Sequence, residues 1–316
     1  MADGEGGAST RELKPLVVIV GPTASGKTRL AVALARVFYG EIVGADSRQV
    51  YRGFTIGTGK ARELDLGGVA HHLIDVVDPE KLFTLVDYIT LAEQAIEGVY
   101  GRGKLPLVVG GTGLYIRGVC DGLVPPAIPP QPRLRAVLHR QWEEDPRRVW
   151  EELVVRDPVM AKQIDRRNRH RVIRALEVCI VSGQPVSGQR SRRGPRYQMV
   201  MIGLSTAREQ LHRLADERLR AMLAAGFVAE VRGLLERGID VGSPAFSAVG
   251  YRELAALVRR ELDEATAIRR IEAATHAYQR RQLIWFRADQ RIHWLDCLEE
   301  DVERQACALV RAALEM

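Results

Sequence analysis

The sequence predicts an α/β protein built on a parallel sheet that is flanked by helices. Five short runs rich in valine and isoleucine have the length and composition of strands buried on both faces. Helical periodicity separates the first three runs, as connections between parallel strands require. A glycine-rich segment also stands between the first run and the first helix. The predicted strands are residues 16–20, 41–45, 105–109, 198–204 and 292–295.

Helices are predicted where apolar residues recur every three to four positions. The glycine of the segment "AAGF" at 224–227 stands where one helix should stop and the next should begin. The predicted helices span residues 27–38, 85–100, 207–225, 228–237 and 265–286.

An inserted helical subdomain is predicted at residues 118–196. The segment 121–134 holds five prolines, which exclude regular structure inside a sheet domain. The chain is then polar, rich in arginine and helical in pattern until the strand-like run at 198–204. We therefore expect a flexible tail at 1–14, a core formed by 15–117 and 197–316, and the insert at 118–196.

Positive charge is concentrated in this insert. The formal net charge of the chain is +6, and residues 162–196 hold ten basic side chains against Asp165 and Glu177. That window carries +8, which leaves −2 for the rest of the chain. A basic region on a near-neutral body favours a polyanionic partner such as nucleic acid, although a solvated charged face gives the same pattern.

Composition is that of a globular enzyme, with 46% hydrophobic and 27% charged residues. No apolar run approaches the ~20 residues of a membrane helix, and the N-terminal segment lacks the pattern of a secretory signal. We therefore expect a cytoplasmic, monomeric protein with no membrane partner. The cysteines show no metal-binding spacing, so we expect buried reduced thiols and no zinc. They are Cys120, Cys179, Cys297 and Cys307.

The segment "GPTASGKT" matches the phosphate-binding loop pattern in full and indicates a P-loop NTPase-like fold. Its glycines let backbone N–H groups converge on phosphate oxygens, and the helix N-terminus adds a positive field. Lys27 is expected to reach the distal phosphate, and Thr28 to offer its hydroxyl to Mg²⁺. The motif does not distinguish ATP from another diphosphate. The other candidate phosphate-binding residues are Gly21, Pro22, Thr23, Ala24, Ser25 and Gly26.

Asp46 directly follows the second predicted strand. Ligands of open parallel sheets bind beyond the carboxyl ends of the strands, so Asp46 should lie near the phosphates. It is a candidate general base or Mg²⁺ ligand, and a turn or helix cap is the structural alternative. The segment "GGTGLY" at 110–115 follows a third strand and suggests close backbone approach to a ligand. In "HHLIDVVDP", Asp75 and Asp78 are candidate acids for a kinase-like site.

Together these segments resemble the tRNA dimethylallyltransferases of the bacterial type, also called tRNA isopentenyltransferases. The resemblance runs from residue 16 to about 296. The matching strings are "GPTASGKT", "ADSRQVYRG", "HHLIDVVDP", "VVGGTGLY", "NRHRVIRALEV", "MLAAGFVAEVRGLL", "SAVGYREL" and "RRQLIWFR". The resemblance implies transfer of a dimethylallyl group from dimethylallyl diphosphate to the exocyclic amine of an adenosine in tRNA. That adenosine lies immediately 3′ of the anticodon in tRNAs that read codons beginning with U.

The resemblance also implies roles for the phosphate loop and for Asp46. Lys27, the loop N–H groups and Mg²⁺ at Thr28 would stabilise the charge on the leaving diphosphate. Asp46 would accept the proton of the adenine amine. Arg218, in "LADERLRAML", matches an arginine that the family places near the diphosphate, with a surface role on its helix as the alternative.

Residues that bind the tRNA anticodon stem-loop are implied in the same way. The extruded adenosine would contact Thr112 and the loop at residues 46–49. The basic insert and two later segments would contact the RNA backbone and loop, whereas Trp285 is interpreted as core packing. The implied residues are Asp46, Ser47, Arg48, Gln49, Thr112, Arg135, His170, Arg171, Val172, Ile173, Arg174, Ser247, Gly250, Arg252, Arg280, Arg281 and Arg287.

The chain departs from the family pattern at Thr55, where the family has an acidic residue, and at 57–61, where "GTAKP" becomes "GTGKA". Three other functions remain open. They are a small-molecule kinase, a prenyltransferase acting on free AMP or ADP, and an RNA-binding protein that uses a nucleotide as a switch. The basic insert argues against the first two, and the switch predicts tight nucleotide binding without a product.

Overall fold

The computed structural model describes residues 13–60, 67–189, 191–192, 194 and 196–315. Within these residues, six parallel strands form one sheet in the order β3-β2-β4-β1-β7-β8, and two short antiparallel strands, β5 and β6, form a second sheet. The predicted α/β class is confirmed. The strands are β1 (Lys14–Val20), β2 (Gly40–Gly44), β3 (His71–His72), β4 (Leu105–Gly110), β5 (Leu123–Val124), β6 (Ser191–Arg192), β7 (Tyr197–Ser205) and β8 (Ile292–Asp296).

Strand β1 lies in the interior of the large sheet. Val18 pairs with Val108 of β4 on one side and with Met201 of β7 on the other. Successive side chains of β1 enter two separate cores, so that Val18 and its neighbour Ile19 belong to different hydrophobic clusters. Both faces are therefore apolar, which explains the unbroken hydrophobic run.

Strand β3 was not predicted. It comprises two histidines, and His71 pairs with Ile42 of β2 at the edge of the sheet. A two-residue polar strand carries no periodic signal, so only pairing with β2 defines it.

Eight α-helices are described in the part of the chain that carries the large sheet. Each of the five predicted helices agrees with an observed helix to within one residue at either end. Gly226 separates two of them with a φ of 99°, a left-handed conformation that glycine adopts without strain. The helices are α1 (Lys27–Val37), α2 (Leu85–Gly101), α3 (Gly113–Cys120), α9 (Arg208–Ala224), α10 (Phe227–Glu236), α11 (Tyr251–Val258), α12 (Glu264–Arg287) and α13 (Val302–Leu314).

The chain divides into two compact units. The core unit comprises Met1–Cys120 with Pro195–Met316, and the insert comprises Asp121–Gly194. The expected boundary at 118 cuts α3, which continues to Cys120. Lys14, assigned to the tail from sequence, begins β1 instead, and residues 1–12 of that tail lie outside the described residues.

The insert has its own hydrophobic cluster, which includes Leu153, Val172 and Leu176. Its helices are short, and several begin at a proline, which suits the first turn of a helix. They are α4 (Pro132–Glu144), α5 (Pro146–Arg156), α6 (Pro158–Gln163), α7 (Arg169–Ser182) and α8 (Val186–Gln189).

The four cysteines are free thiols. Cys120, Cys179 and Cys297 are buried, as expected, and Cys307 is half-buried. Among the helices of the described residues, none has the combination of length and apolar character that would let it cross a membrane.

Candidate active site

The three loops singled out from sequence follow three neighbouring strands. The phosphate loop follows β1, the Asp46 loop follows β2, and the Gly111–Thr112 loop follows β4, which lies between them. The last two loops are hydrogen-bonded to each other. The Thr112 N–H donates to the Ala45 carbonyl at 3.1 Å, and the Ser47 N–H donates to Thr112 Oγ1 at 3.0 Å. Local sequence signals far apart in the chain therefore meet at one edge of the sheet.

The phosphate loop is closely packed against the sheet. A Cβ on Gly21 would lie 2.4 Å from the Leu204 carbonyl oxygen, so this position requires glycine. The Lys27 ammonium donates to the Pro22 carbonyl at 2.6 Å. Burial, together with the positive charge of Arg218, lowers the pKa of Lys27 to about 8, and the negative charge of Asp46 acts in the opposite direction.

Asp46 combines a structural and a chemically available oxygen. Its Oδ1 accepts hydrogen bonds from the backbone N–H of Arg48 at 2.8 Å and, more weakly, of Gln49 at 3.4 Å. These bonds are the turn that sequence reasoning gave as its alternative role. Among the described residues, no hydrogen bond reaches Oδ2 of this half-buried carboxylate, which lines the cavities described below.

Arg218 of α9 is half-buried beside the loop that contains Gly59. Its Nη2 donates to the Gly59 carbonyl at 3.4 Å. Burial lowers the pKa of Arg218, and the negative charge of Asp46 opposes that shift. The charges of Arg218 and Asp46 are therefore close enough to interact, and the guanidinium is not a surface group.

Two adjoining cavities lie at this edge, both within the core unit. The first has a volume of about 480 Å³ and is lined by polar and apolar side chains. The second, about 750 Å³, is lined by the phosphate loop, including Lys27 and Thr28, and by α1. Five residues line both cavities and mark the junction where the two adjoin, which we call the passage, and they are Thr23, Ala24, Asp46, Thr58 and Arg218.

Two buried glutamines of α12 support the site and were missed by sequence reasoning. Gln282 accepts from the Thr23 N–H at 2.9 Å, and its Nε2 donates to the Gly111 carbonyl at 3.0 Å. Gln279 donates to the carbonyl of Thr23 at 3.0 Å. The available signal was a pair of amides three residues apart on one helix face, in a segment interpreted from its arginines and aromatic residues.

Glu230 of α10 holds another wall of the first cavity. Its carboxylate accepts hydrogen bonds from the backbone N–H groups of Thr55 at 3.1 Å and Ile56 at 2.7 Å, and from the Tyr251 hydroxyl at 2.6 Å. Thr55, one departure from the family pattern, therefore lies beside a carboxylate from a distant part of the chain. The same loop continues into residues 57 and 58, which line the cavity.

The candidate acids for a kinase-like site are used elsewhere. Asp75 pairs with the buried Lys60 at 2.7 Å, and Asp78 pairs with Arg52 at 2.6 Å. Neither aspartate lines the two cavities, although Lys60, the partner of Asp75, lines the second.

Several tRNA-binding candidates of the core unit lie on or near the two cavities. Arg48 Nη1 donates to Ser247 Oγ at 2.6 Å, and both residues line the first cavity. Arg281 also lines it and lies over the Tyr278 ring at 5.7 Å. Gln49 lines the second cavity. The exposed side chains outside the lining are Arg252, Arg280 and Arg287.

Two interpretations of residues in the core unit need correction. Gly250 is buried and leads into α11 with a φ of 94°, and a Cβ there would lie 3.0 Å from Phe227, so its role is in the turn. Trp285 packs against the core, as interpreted, but it also lines the first cavity. The Arg117 guanidinium lies over its ring, with 6.0 Å from the guanidinium carbon to the ring centre.

In the insert, the candidate residues fall into three groups. His170 and Arg171 are exposed at the start of α7. Val172 and Ile173 are buried in the core of the insert, which corrects their assignment as side chains that contact tRNA. The third group is Arg135 and Arg174, which both form ion pairs with the buried Glu177, and the distance for Arg135 is 2.8 Å. Both arginines therefore compensate a buried charge inside the insert.

The fold and the site define an α/β protein whose phosphate loop stands beside two adjoining cavities. The IPP transferase family model matches residues 49–289, and the isopentenyl transferase model matches residues 14–77. The chain belongs to the IPP transferase family.

Relatives and solved structures are similar over nearly the whole chain. A tRNA dimethylallyltransferase from Thermomicrobium roseum is 42% identical over 300 residues, which cover 92% of this chain and 91% of the relative. One from Chloroflexus aurantiacus is 46% identical, covering 87% and 93%. The tRNA isopentenylpyrophosphate transferase of Bacillus halodurans superposes with a TM-score of 0.71 at 33% identity, covering 96% and 98%. A eukaryotic dimethylallyltransferase acting on tRNA gives 0.79 at 26% identity, covering 94% and 78%.

Proposed function

We propose that this protein transfers a dimethylallyl group from dimethylallyl diphosphate to the N6 amine of an adenosine in tRNA. The adenosine is the one immediately 3′ of the anticodon in tRNAs that read codons beginning with U. Family membership supports the class of reaction. The observation that carries the proposal is that Asp46 and Arg218 line both the first cavity and the second cavity, which lies at the phosphate loop.

The cavity at the phosphate loop is proposed to bind the diphosphate. Backbone N–H groups of the loop and the start of α1 favour an anion there. Lys27 would exchange its hydrogen bond to the Pro22 carbonyl for a phosphate oxygen, which keeps the ammonium charged. Arg218 would bind the same diphosphate from the opposite wall, at the passage.

Mg²⁺ fits this site as a partner of the substrate. No cluster of three or more histidine, cysteine, aspartate or glutamate residues suited to a metal occurs in the described ranges. Mg²⁺ is commonly held by few protein groups together with phosphate oxygens and water, and the exposed Thr28 hydroxyl beside the loop is proposed as a protein ligand. When bound, the ion would offset negative charge on the leaving diphosphate.

The first cavity is proposed to receive the adenine. Ser47 and Thr112 offer hydroxyls, and Tyr278 and Trp285 offer rings against which a base stacks. Enzymes that modify a stacked base extrude it into a pocket to reach the reacting atom, and the first cavity would be that pocket. Free AMP would also fit such a cavity, so the choice of tRNA rests on the relatives and on the basic insert.

The transfer then needs one proton acceptor at the passage. The N6 lone pair forms a bond to C1 of the donor while the C1–O bond breaks, and the electron pair of that bond leaves with the diphosphate. The proton lost from N6 passes to Oδ2 of Asp46, the oxygen not used by the turn. Lys27 and Arg218 stabilise the negative charge that develops on the leaving group.

The exposed basic residues of the insert, led by Arg171, are proposed to bind the phosphates of the anticodon stem-loop. Arg135 and Arg174 would shape that surface through Glu177 rather than supply its free charge. We also propose, as expected from the sequence, that the enzyme acts as a monomer in the cytoplasm, where its tRNA substrate is found.

Mass spectrometry of a synthetic anticodon stem-loop tests the proposal. The RNA, with adenosines on both sides of the target, is incubated with the protein, Mg²⁺ and either dimethylallyl diphosphate or ATP. A prenyl-sized mass gain on the adenosine 3′ of the anticodon, with the prenyl donor alone, is expected. No gain, with ADP formed in the ATP reaction, would favour a kinase, and a gain on free AMP but not on RNA would favour a nucleotide prenyltransferase.

A further inference from the structure

We propose that Met222 sets the chain length of the prenyl donor and restricts it to five carbons. This inference rests on the proposed function, because it places a prenyl chain in the first cavity. Met222 would select among prenyl donors that share the diphosphate group but differ in chain length.

Met222 and Arg218 lie four positions apart on α9, on the same face of the helix. Their separation along the helix axis is therefore about 6 Å. Both side chains reach the same loop residue. Arg218 donates to the Gly59 carbonyl at 3.4 Å, and a Cβ on Gly59 would lie 3.2 Å from Met222 Cε.

The two residues have different relations to the cavities. Arg218 lines both cavities, whereas Met222 lines the first cavity and is not part of the wall of the second. Arg218 therefore marks the passage where the diphosphate ends. Met222 borders only the first cavity, and its side-chain tip is a neighbour of the guanidinium, since a Cβ on Gly59 would lie 3.2 Å from Met222 Cε and 1.7 Å from Arg218 Nη2.

The wall around Met222 is apolar. Leu219, Phe227 and Ile271 line the same cavity and are almost completely buried, with exposed fractions of 6%, 1% and 2%. Hydroxyl groups of Ser47 and Thr112 lie on the wall formed by the strand-end loops. Burial against the apolar wall is most favourable for the prenyl chain, whereas the adenine amine needs the hydroxyl groups of the other wall as hydrogen-bond partners. The prenyl chain and the adenine would therefore occupy different sides of the first cavity.

Length follows from this arrangement. A dimethylallyl chain that leaves a diphosphate bound by Arg218 would therefore meet the neighbouring Met222 side chain within its own length. A ten-carbon chain such as geranyl would have to continue past that side chain. Phe227 and Ile271 are buried in the hydrophobic core behind it, so the half-buried methionine is the residue whose removal costs least to the fold.

Competition between donors tests the proposal. Wild type, Met222→Ala and Met222→Val are supplied with tRNA and with dimethylallyl or geranyl diphosphate, and kcat/KM is measured for each. We expect the preference for dimethylallyl over geranyl to fall by about 10-fold or more in Met222→Ala, and by less in Met222→Val, as expected for a changed hydrophobic pocket. Dimethylallyl transfer itself should weaken, because the shorter chain loses a contact.

Leu114→Ala is the matched control. Leu114 also lines the first cavity, next to Thr112, so the substitution enlarges the cavity on the other wall. The ratio between the donors should stay at the wild-type value. An unchanged ratio in both Met222 variants, or a larger gain in Leu114→Ala, would overturn the inference. Absence of dimethylallyl transfer by the wild type would instead overturn the proposed function.

Discussion

Gln282 binds both the N–H of Thr23 and the carbonyl of Gly111, so a single buried amide joins the loops that follow β1 and β4. Its hydrogen-bond distances are 2.9 and 3.0 Å, and the residue is 5% exposed. Thr23 lines the passage between the two cavities. Helix α12, near the C-terminal end of the sequence, therefore determines the geometry of the phosphate loop near its start.

Replacing Gln282 with leucine should destabilise the protein by about 2 kcal/mol, since it leaves a buried N–H and a buried carbonyl without partners. Urea unfolding measures the change, and the KM for the prenyl donor should rise because Thr23 loses its support. Gln290→Leu, at an exposed position, is the control and should change neither quantity. Equal stability of the two variants would remove Gln282 from this role.

Asp46→Asn is expected to abolish most of the transfer while leaving tRNA binding intact. Asparagine keeps an oxygen for the turn with Arg48 and Gln49 but cannot accept the N6 proton. The single-turnover rate should fall by about 10² to 10⁴, the usual contribution of a general base. tRNA affinity is measured in parallel. A near wild-type rate would show that Asp46 is not the base.

In the insert, Arg171→Ala and Arg174→Ala should separate RNA binding from folding. Arg171 is exposed, so its loss should reduce the slope of log Kd for tRNA against log salt by about 1, with unchanged stability. Arg174→Ala should lower the free energy of unfolding, since it removes one partner of the buried Glu177. Titrations at several salt concentrations and urea unfolding of both variants make the comparison. An unchanged slope for Arg171→Ala would exclude it from the interface.

The buried Glu41 should make stability depend on acid pH. Hydrogen bonding from Arg102 at 2.6 Å, with smaller contributions from His72 and Lys104, lowers the pKa of Glu41 to about 2 despite its burial. Its folded-state pKa thus lies below the unfolded value, so the stabilisation is fully present above about pH 4.5 and is lost as pH falls toward 2.

Glu41→Gln should therefore cost about 2 kcal/mol at pH 7 and clearly less at pH 3, as measured by urea unfolding. Glu97→Gln is the control, because its pair with Lys14 is exposed and should contribute less than about 1 kcal/mol. A pH-independent difference between wild type and Glu41→Gln would contradict the assignment.

Signals that are local in the chain identified the parallel sheet, the helix boundaries and the phosphate loop. An apolar run, a helical repeat and the "GPTASGKT" string each depend on neighbours within a few residues. Asp46 could be placed near the phosphate loop because the ends of parallel strands meet at one edge. Conversely, β3 was not identified, because a two-residue strand is defined only by its pairing with β2. The burial of Val172 and Ile173 was missed although their helix is 14 residues long, because that segment was interpreted by its basic residues.

Loop pattern and position after a strand are local properties, so the amino-acid sequence alone identified the phosphate loop, Asp46 and Thr112 as parts of the site. Which groups act together depended on the folded chain. Gln282 meets Thr23 across 259 positions of the chain, and Arg218 meets Gly59 across 159. No periodicity records such contacts, because they form only when the packed helices bring those backbone segments within hydrogen-bond distance.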